Sequence, residues 1–144
     1  MAKVSVSTQV SAAAEKVWQL AVDLPREAEW NSMHEGFTDD VPAVLAEGTT
    51  FKQRVKLMGM PAEIAWRVVE ADPPGRLELK GNGPMGVTAI NRWLIEPAEG
   101  GGSQVTLEME FSGATLAGPM AMMVEKQARS ATGASLAKFA ALLG

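Results

Sequence analysis

The sequence has no cysteine and only one histidine, His34, in 144 residues. Without cysteine there is no disulfide, no thiolate nucleophile and no Cys-containing zinc site, which fits a reducing cytosol. A single histidine also argues against a His-rich metal site, so neither a metal nor a cofactor is expected. Positive charge is short: 13 Lys and Arg stand against 17 Asp and Glu, a net charge of -4. A general nucleic-acid binder needs a basic surface, so no DNA partner is expected. Long apolar runs are missing as well. The least polar stretch, Ala114 to Val124, has 11 residues, about half of what crossing a bilayer requires, so no transmembrane segment is expected. The N-terminal MAKVSVSTQV alternates polar and apolar residues, whereas a secretory signal needs a continuous apolar run. These absences describe a cytoplasmic protein with one domain, 1–144. A chain of this size buries roughly 70% of its unfolded surface without staples.

What is present reads as one strand, two helices, a run of strands and a long helix. Val4, Val6, Thr8 and Val10 recur at period two, the mark of a half-buried strand. Ser11 can cap a helix whose apolar positions Val17, Trp18, Leu20, Ala21 and Leu24 follow the 3.6-residue period. Pro25 ends that helix and can open a second, short one through Trp30. Over Thr49 to Met58, Phe51, Gln53, Val55 and Leu57 share one strand face, with Lys52, Arg54 and Lys56 on the other. A turn at Gly59-Met60 pairs this strand with the next, setting Val55 opposite Ile64, Gln53 opposite Trp66, Phe51 opposite Val68 and Lys56 opposite Glu63. Arg76–Lys80, Val87–Glu96 and a last strand with Val105, Leu107, Met109 and Phe111 inward complete the sheet. Met120 to Leu143 is predicted as one helix, broken in pattern only by Gly133. Its stripe Ala121, Val124, Ala128, Thr132, Ser135 and Phe139 is mostly small side chains, which fill space poorly against a curved sheet. The class is α+β, an antiparallel sheet curled around its last helix.

Few motifs carry chemistry. Gly81-Asn-Gly83-Pro-Met-Gly86 fits GxGxxG, but a strand rather than a helix follows, so it reads as a hairpin loop. Glu108 and Glu110 alternate with core residues and should face water. The informative residues are polar side chains on inward faces. Gln53 and Asn91 stand among Phe51, Val55, Trp66, Trp93, Leu107 and Met109, and a buried amide without partners costs about 1–3 kcal/mol. They bond each other, backbone or trapped water, or they orient the polar end of a ligand in an apolar pocket. His34, between Trp30 and Phe37, reads as a partly exposed loop residue, as a contact at a pocket rim shared with Trp30, or as the one candidate acid or base.

Val17-Trp18 in the first helix, Trp30 closing the second and the long amphipathic C-terminal helix resemble the START/Bet v 1-like superfamily, also called SRPBCC or polyketide cyclase/dehydrase-like. Met1-Ala-Lys-Val4, Gly59-Met-Pro61, Ile64-x-Trp66, Pro73-Pro74, Leu79-x-Gly81-x-Gly83, Gly118-Pro119 and Ser135-Leu136-x-x-Phe139 resemble an actinobacterial branch of it. Some members of that branch are labelled as toxins of toxin-antitoxin pairs. The resemblance implies a helix-grip fold: seven antiparallel strands wrapped around the C-terminal helix, with two short helices between strands 1 and 2. It also implies an apolar cavity for lipids, polyketides or similar molecules.

Three functions follow as expectations. The first is binding of a small hydrophobic ligand in a cavity walled by Phe51, Val55, Trp66, Trp93, Leu107, Met109, Val124 and Ala128, with Gln53 and Asn91 as polar anchors. A cavity below about 300 Å³ counts against it. The second is a polyketide cyclase or dehydratase, which needs a titratable side chain inside the cavity, His34 being the candidate. The third is a toxin that acts on a macromolecular partner through Lys52, Arg54 and Lys56 and pairs with an antitoxin protein.

Overall fold

A computed structural model describes residues 2–57, 59–113, 116 and 118–143. Met1 and Met58, at the start of the quoted branch motif and the end of the predicted third strand, lie outside the described residues. So do Ala114, Thr115 and Ala117 of the weakly polar run. The chain forms β1 (Ala2–Val10), α1 (Ala14–Ala21), a 3₁₀ helix (Leu24–Glu29), β2 (His34–Phe37), β3 (Thr50–Leu57), β4 (Met60–Asp72), β5 (Arg76–Asn82), β6 (Thr88–Pro97), β7 (Ser103–Ser112) and α2 (Pro119–Leu142). All strands join one seven-stranded antiparallel sheet in the order β1-β7-β6-β5-β4-β3-β2. The long-range closure of β1 on β7 brings both ends of the sheet's strand run together around α2. This is the α+β arrangement expected from the pattern and the seven-stranded helix-grip fold that the resemblance implied.

Alternation decides which side chains face inward. Phe51, Gln53 and Val55 of β3, Ile64, Trp66 and Val68 of β4, Leu77 and Leu79 of β5, and Val105, Leu107, Met109 and Phe111 of β7 are buried. Against them α2 buries Ala128, Thr132, Ser135, Leu136 and Phe139, all beyond its first nine residues. Its first turns, through Gln127, contain no buried residue. Trp30, Trp93 and Phe139 meet as a three-ring cluster, with centroids 4.9–5.5 Å apart and Trp30 edge-on to both others. On the outer face Arg92 bonds Glu78 and Glu110, each at 2.7 Å, with Glu108 at 3.8 Å. The two glutamates expected to face open water are therefore half-buried around a guanidinium.

Three local expectations are corrected. Ser11 does not cap α1, whose N-cap is Ala13 with no side-chain bond; residues 11–13 instead carry the chain from β1 into the helix, and the Ser103 hydroxyl donates to Ala12 O at 2.8 Å. The β3–β4 pairing is shifted by two residues: Phe51 faces Trp66, Gln53 faces Ile64, Val55 faces Ala62 and Arg54, not Lys56, faces Glu63. The chain reverses between Leu57 and Met60, with Gly59 at φ +77°, so the glycine takes the second rather than the first turn position. A shift of two preserves every inward face, so periodicity alone could not reveal it.

Gly81 of β5 faces the Trp66 ring. A Cβ there would collide with Ile64 Cγ2 and lie 2.7 Å from Trp66 Cε3. The Gly81→Ala substitution should therefore destabilise the fold by about 1–3 kcal/mol through overpacking. A urea midpoint unchanged from wild type would show that the ring is not held against the strand.

Candidate functional site

The site begins with the 3₁₀ helix. In that geometry residues three apart eclipse, so Leu24, Glu27 and Trp30 share a face, and the two apolar neighbours carry Glu27 inward. Its side chain is 14% exposed. Gln53 rises from β3 to meet it. Trp66 Nε1–H donates to Gln53 Oε1 at 2.9 Å; because indole only donates, this fixes which end of the amide is oxygen. Gln53 Nε2 then donates one hydrogen to Glu27 Oε2 at 2.6 Å and the other to His34 Nδ1 at 2.8 Å. Accepting there requires the His34 proton to sit on Nε2, so the ring is neutral. Burial pushes its pKa below the usual value, with Glu35 pulling weakly the other way. Burial also pushes the Glu27 carboxyl up to about 7, against hydrogen bonds from Asn31 and Gln53 that favour the charged form.

Two spaces lie between sheet and helix. An inner cavity of about 50 Å³ is lined by Glu27, Trp30, Phe51, Gln53, Val55, Trp66, Asn91, Trp93, Leu107, Met109 and Thr132, among others. An outer cleft of about 220 Å³ lies beneath the first half of α2, against Met60, Val87, Leu116, Val124, Gln127, Ala128 and Ala131. Met33 and Phe111 line both. Neither space reaches the roughly 300 Å³ of the smallest ligand pockets. The inner one can hold water, since about 10–15 Å³ per molecule suffices.

The residues expected at one site divide. Phe51, Gln53, Val55, Trp66, Asn91, Trp93, Leu107 and Met109 do converge on the inner cavity, whereas Val124 and Ala128 face the outer cleft. Trp30 is buried in the three-ring cluster rather than at a rim. His34 lines neither space; its side chain is 7% exposed and stands behind Gln53, so it is neither a loop residue in solvent nor a rim contact. Gln53 and Asn91 do not bond each other. Asn91 Nδ2 donates to Met109 Sδ at 2.9 Å, while Asn91 Oδ1, Trp30 Nε1 and Thr132 Oγ1 are the buried side-chain atoms without a partner among the described residues. All three residues line the inner cavity. Glu27 was missed because its segment reads as an α-helix, where three-residue spacing is not eclipsed. Among the described residues no cluster of His, Cys, Asp and Glu could hold a metal, and no helix is long and apolar enough to cross a membrane.

Residues 1–144 match the family model described as "Polyketide cyclase / dehydrase and lipid transport". The chain is 35% identical over 139 residues to "Toxin Rv0910" of Mycobacterium tuberculosis, covering 96% of each. It is 31% identical over 144 residues to "Uncharacterized protein Rv1546" of the same organism, covering 100% of each. A solved START superfamily protein from Mycobacterium smegmatis shares the fold, with a TM-score of 0.78 at 17% identity over 98% of this chain and 96% of that one.

The Glu27 carboxyl makes stability depend on pH. Its folded pKa lies above its unfolded one, so the folded state holds the proton more tightly. Its contribution is complete below the usual carboxyl range and is lost as pH rises to about 7. Wild type should lose up to about 3 kcal/mol between pH 4.5 and 8 from this group. Glu27→Gln should remove that slope and be the more stable protein at pH 8. Urea titrations across this range check both, and a variant weaker than wild type at pH 8 contradicts the assignment.

Proposed function

Because the chain belongs to the polyketide cyclase/dehydrase and lipid transport family, we propose that it binds a small hydrophobic molecule between the sheet and α2, with an oxygen of that molecule turned toward the inner cavity. The observation that carries this reading is the set of three unpartnered polar atoms, Trp30 Nε1, Asn91 Oδ1 and Thr132 Oγ1, in residues that line one small cavity. A hydroxyl can donate to Asn91 and accept from Trp30, the pairing these atoms lack. The outer cleft supplies the apolar wall for the rest of the molecule. Its volume and that of the inner cavity suit a single short chain or ring, not a two-chain lipid. The division between them is Phe111 and the flexible, half-buried Met33. A rotamer change there would join both spaces to about the lower size of natural ligand pockets.

Glu27 favours a second reading. It is the titratable group inside the cavity that a cyclase or dehydratase requires, in place of His34. A carboxyl near pKa 7 exchanges protons at neutral pH. Turnover of a poly-β-keto thioester that disappears in Glu27→Gln would support catalysis; ligand retention without turnover would leave binding alone. The toxin name of the 35%-identical relative supports a third reading, action on a macromolecular partner through Lys52, Arg54 and Lys56, which stand exposed on β3.

Native mass spectrometry of the purified protein should find a copurified hydrophobic molecule. Asn91→Leu replaces the unpartnered acceptor by an apolar side chain of similar size. It should raise stability by about 1–2 kcal/mol while reducing retention of an oxygenated ligand. Ala131→Phe, filling the outer cleft, should abolish retention with the fold intact. Unchanged ligand occupancy in both variants would remove the cavity as the site.

A further inference from the structure

The exposed methionines are not scattered. Met60 opens β4, Met85 lies in the β5–β6 loop, and Met120, Met122 and Met123 stand in the first turn and a half of α2. All five are exposed, Met85 to 80% and Met122 to 74%. The strand register shows that these segments share one end of the molecule. Leu57 pairs with Met60, Asn82 with Thr88, Thr88 with Ser112 and Phe111 with Ala2, and Gly113 lies against Gly86 and Val87. That end is the mouth of the outer cleft, which Met60, Val87, Leu116 and Val124 line. Solvent-exposed apolar side chains grouped around an apolar cleft mark a contact surface. Met85 adds a second cost: it is the one described non-glycine residue at positive φ, +60°, a conformation that is unfavourable for an L side chain.

Charge at this end differs from the acidic whole. Lys3, Lys56 and Lys126 have no carboxylate within salt-bridge distance among the described residues, whereas Glu110 and Glu125 are held by Arg92 and Arg129. Glu35 and Glu63 sit further down the sheet, level with Arg54. The surface is thus a ring of flexible apolar tips carried by a strand end, a loop and the start of α2, flanked by ammonium groups without a salt-bridge partner among the described residues. It offers no straight groove for a partner helix, and its cations oppose a face-to-face contact with a second copy.

We propose that this methionine-rimmed end docks on an anionic lipid bilayer, placing the mouth of the cleft against the acyl region so that the hydrophobic ligand passes between membrane and protein. The inference rests on the reading of the cleft as a hydrophobic-ligand site. Apolar tips enter the interface and lysines meet anionic headgroups, and the absence of an aromatic anchor keeps the contact reversible.

Flotation with vesicles of equimolar phosphatidylglycerol and phosphatidylcholine tests it, beside vesicles of phosphatidylcholine alone. Wild type should float with the anionic vesicles and about fivefold or more weakly with the neutral ones. The combined variant Met60→Gln, Met85→Gln and Met122→Gln alters only exposed side chains and should keep its Tm while losing about tenfold in partitioning. Failure of wild type to float on anionic vesicles overturns the proposal, as does equal flotation of the triple variant. A concentration-dependent dimer that the triple variant abolishes, seen by sedimentation velocity without lipid, assigns the surface to a second copy and overturns it too. Native mass spectrometry of the same samples separates the two ideas. Ligand retained without flotation leaves the cavity reading standing, and flotation without any ligand leaves docking without the cargo it was inferred to serve.

Discussion

The site is organised by one side-chain amide. Gln53 Oε1 accepts from Trp66, and both Nε2 hydrogens are taken, by Glu27 and by His34. Those three bonds tie β4, the 3₁₀ helix and β2 to β3, so four segments are fixed around one planar group. Each bond restricts the chemistry of its partner. Trp66 sets the orientation of the amide, the amide sets the tautomer of His34, and Glu27 is left as a largely buried acceptor on the cavity wall. The arrangement depends on an absence as well. Only a residue without Cβ at Gly81 lets the Trp66 ring lie where its Nε1 reaches Gln53.

A fully used amide has a consequence for the cavity it borders. Gln53 has no donor left for a ligand, so the unsatisfied chemistry moves one layer deeper, to Asn91, Thr132 and Trp30. These stand on β6, on α2 and at the end of the 3₁₀ helix, and of the three elements the Gln53 bonds reach only the last, through Glu27. The aromatic cluster of Trp30, Trp93 and Phe139 fills much of the space that the small residues of α2 would otherwise leave. Well-satisfied polar groups and close-packed rings thus account for the modest inner volume, and the orphan atoms occupy what remains.

Much of this was legible in the sequence, for reasons that also explain the failures. Alternation in β3, β6 and β7 identified Gln53 and Asn91 as inward because a half-buried strand has a period of two whatever its partner. The same period hid the two-residue register shift, since Val55 stays inward opposite either Ile64 or Ala62. Glu27 was hidden differently. Between Leu24 and Trp30 it occupies the apolar face only if the segment winds at three residues per turn, and no residue in LPREAE dictates that winding. Its uniqueness drew attention to His34, yet uniqueness carries no energy. What places His34 is a hydrogen bond to a residue 19 positions away in sequence. Cavity volume was beyond reach, because it depends on where rings settle after packing rather than on which residues face inward.

Helix α2 brings these features together because its two halves are held unequally. Phe139, Leu136 and Ala128 anchor the helix from Ala128 onward in the core, and Ser135 accepts from the Ser32 amide at 2.9 Å while donating to Ala131 O. The turns through Gln127 have no buried residue and begin at Gly118 and Pro119, with φ +60° at the glycine. Helix propensity, the partly buried Val124 and the Glu125–Arg129 pair at 3.3 Å hold those first turns in shape. Local stability follows buried apolar contact, so the half that covers the cleft is the half with least to lose by moving. Packing at one end of the helix and exposure at the other give a single rigid element both roles: a fixed wall for the inner cavity and a loosely seated cover for the outer cleft.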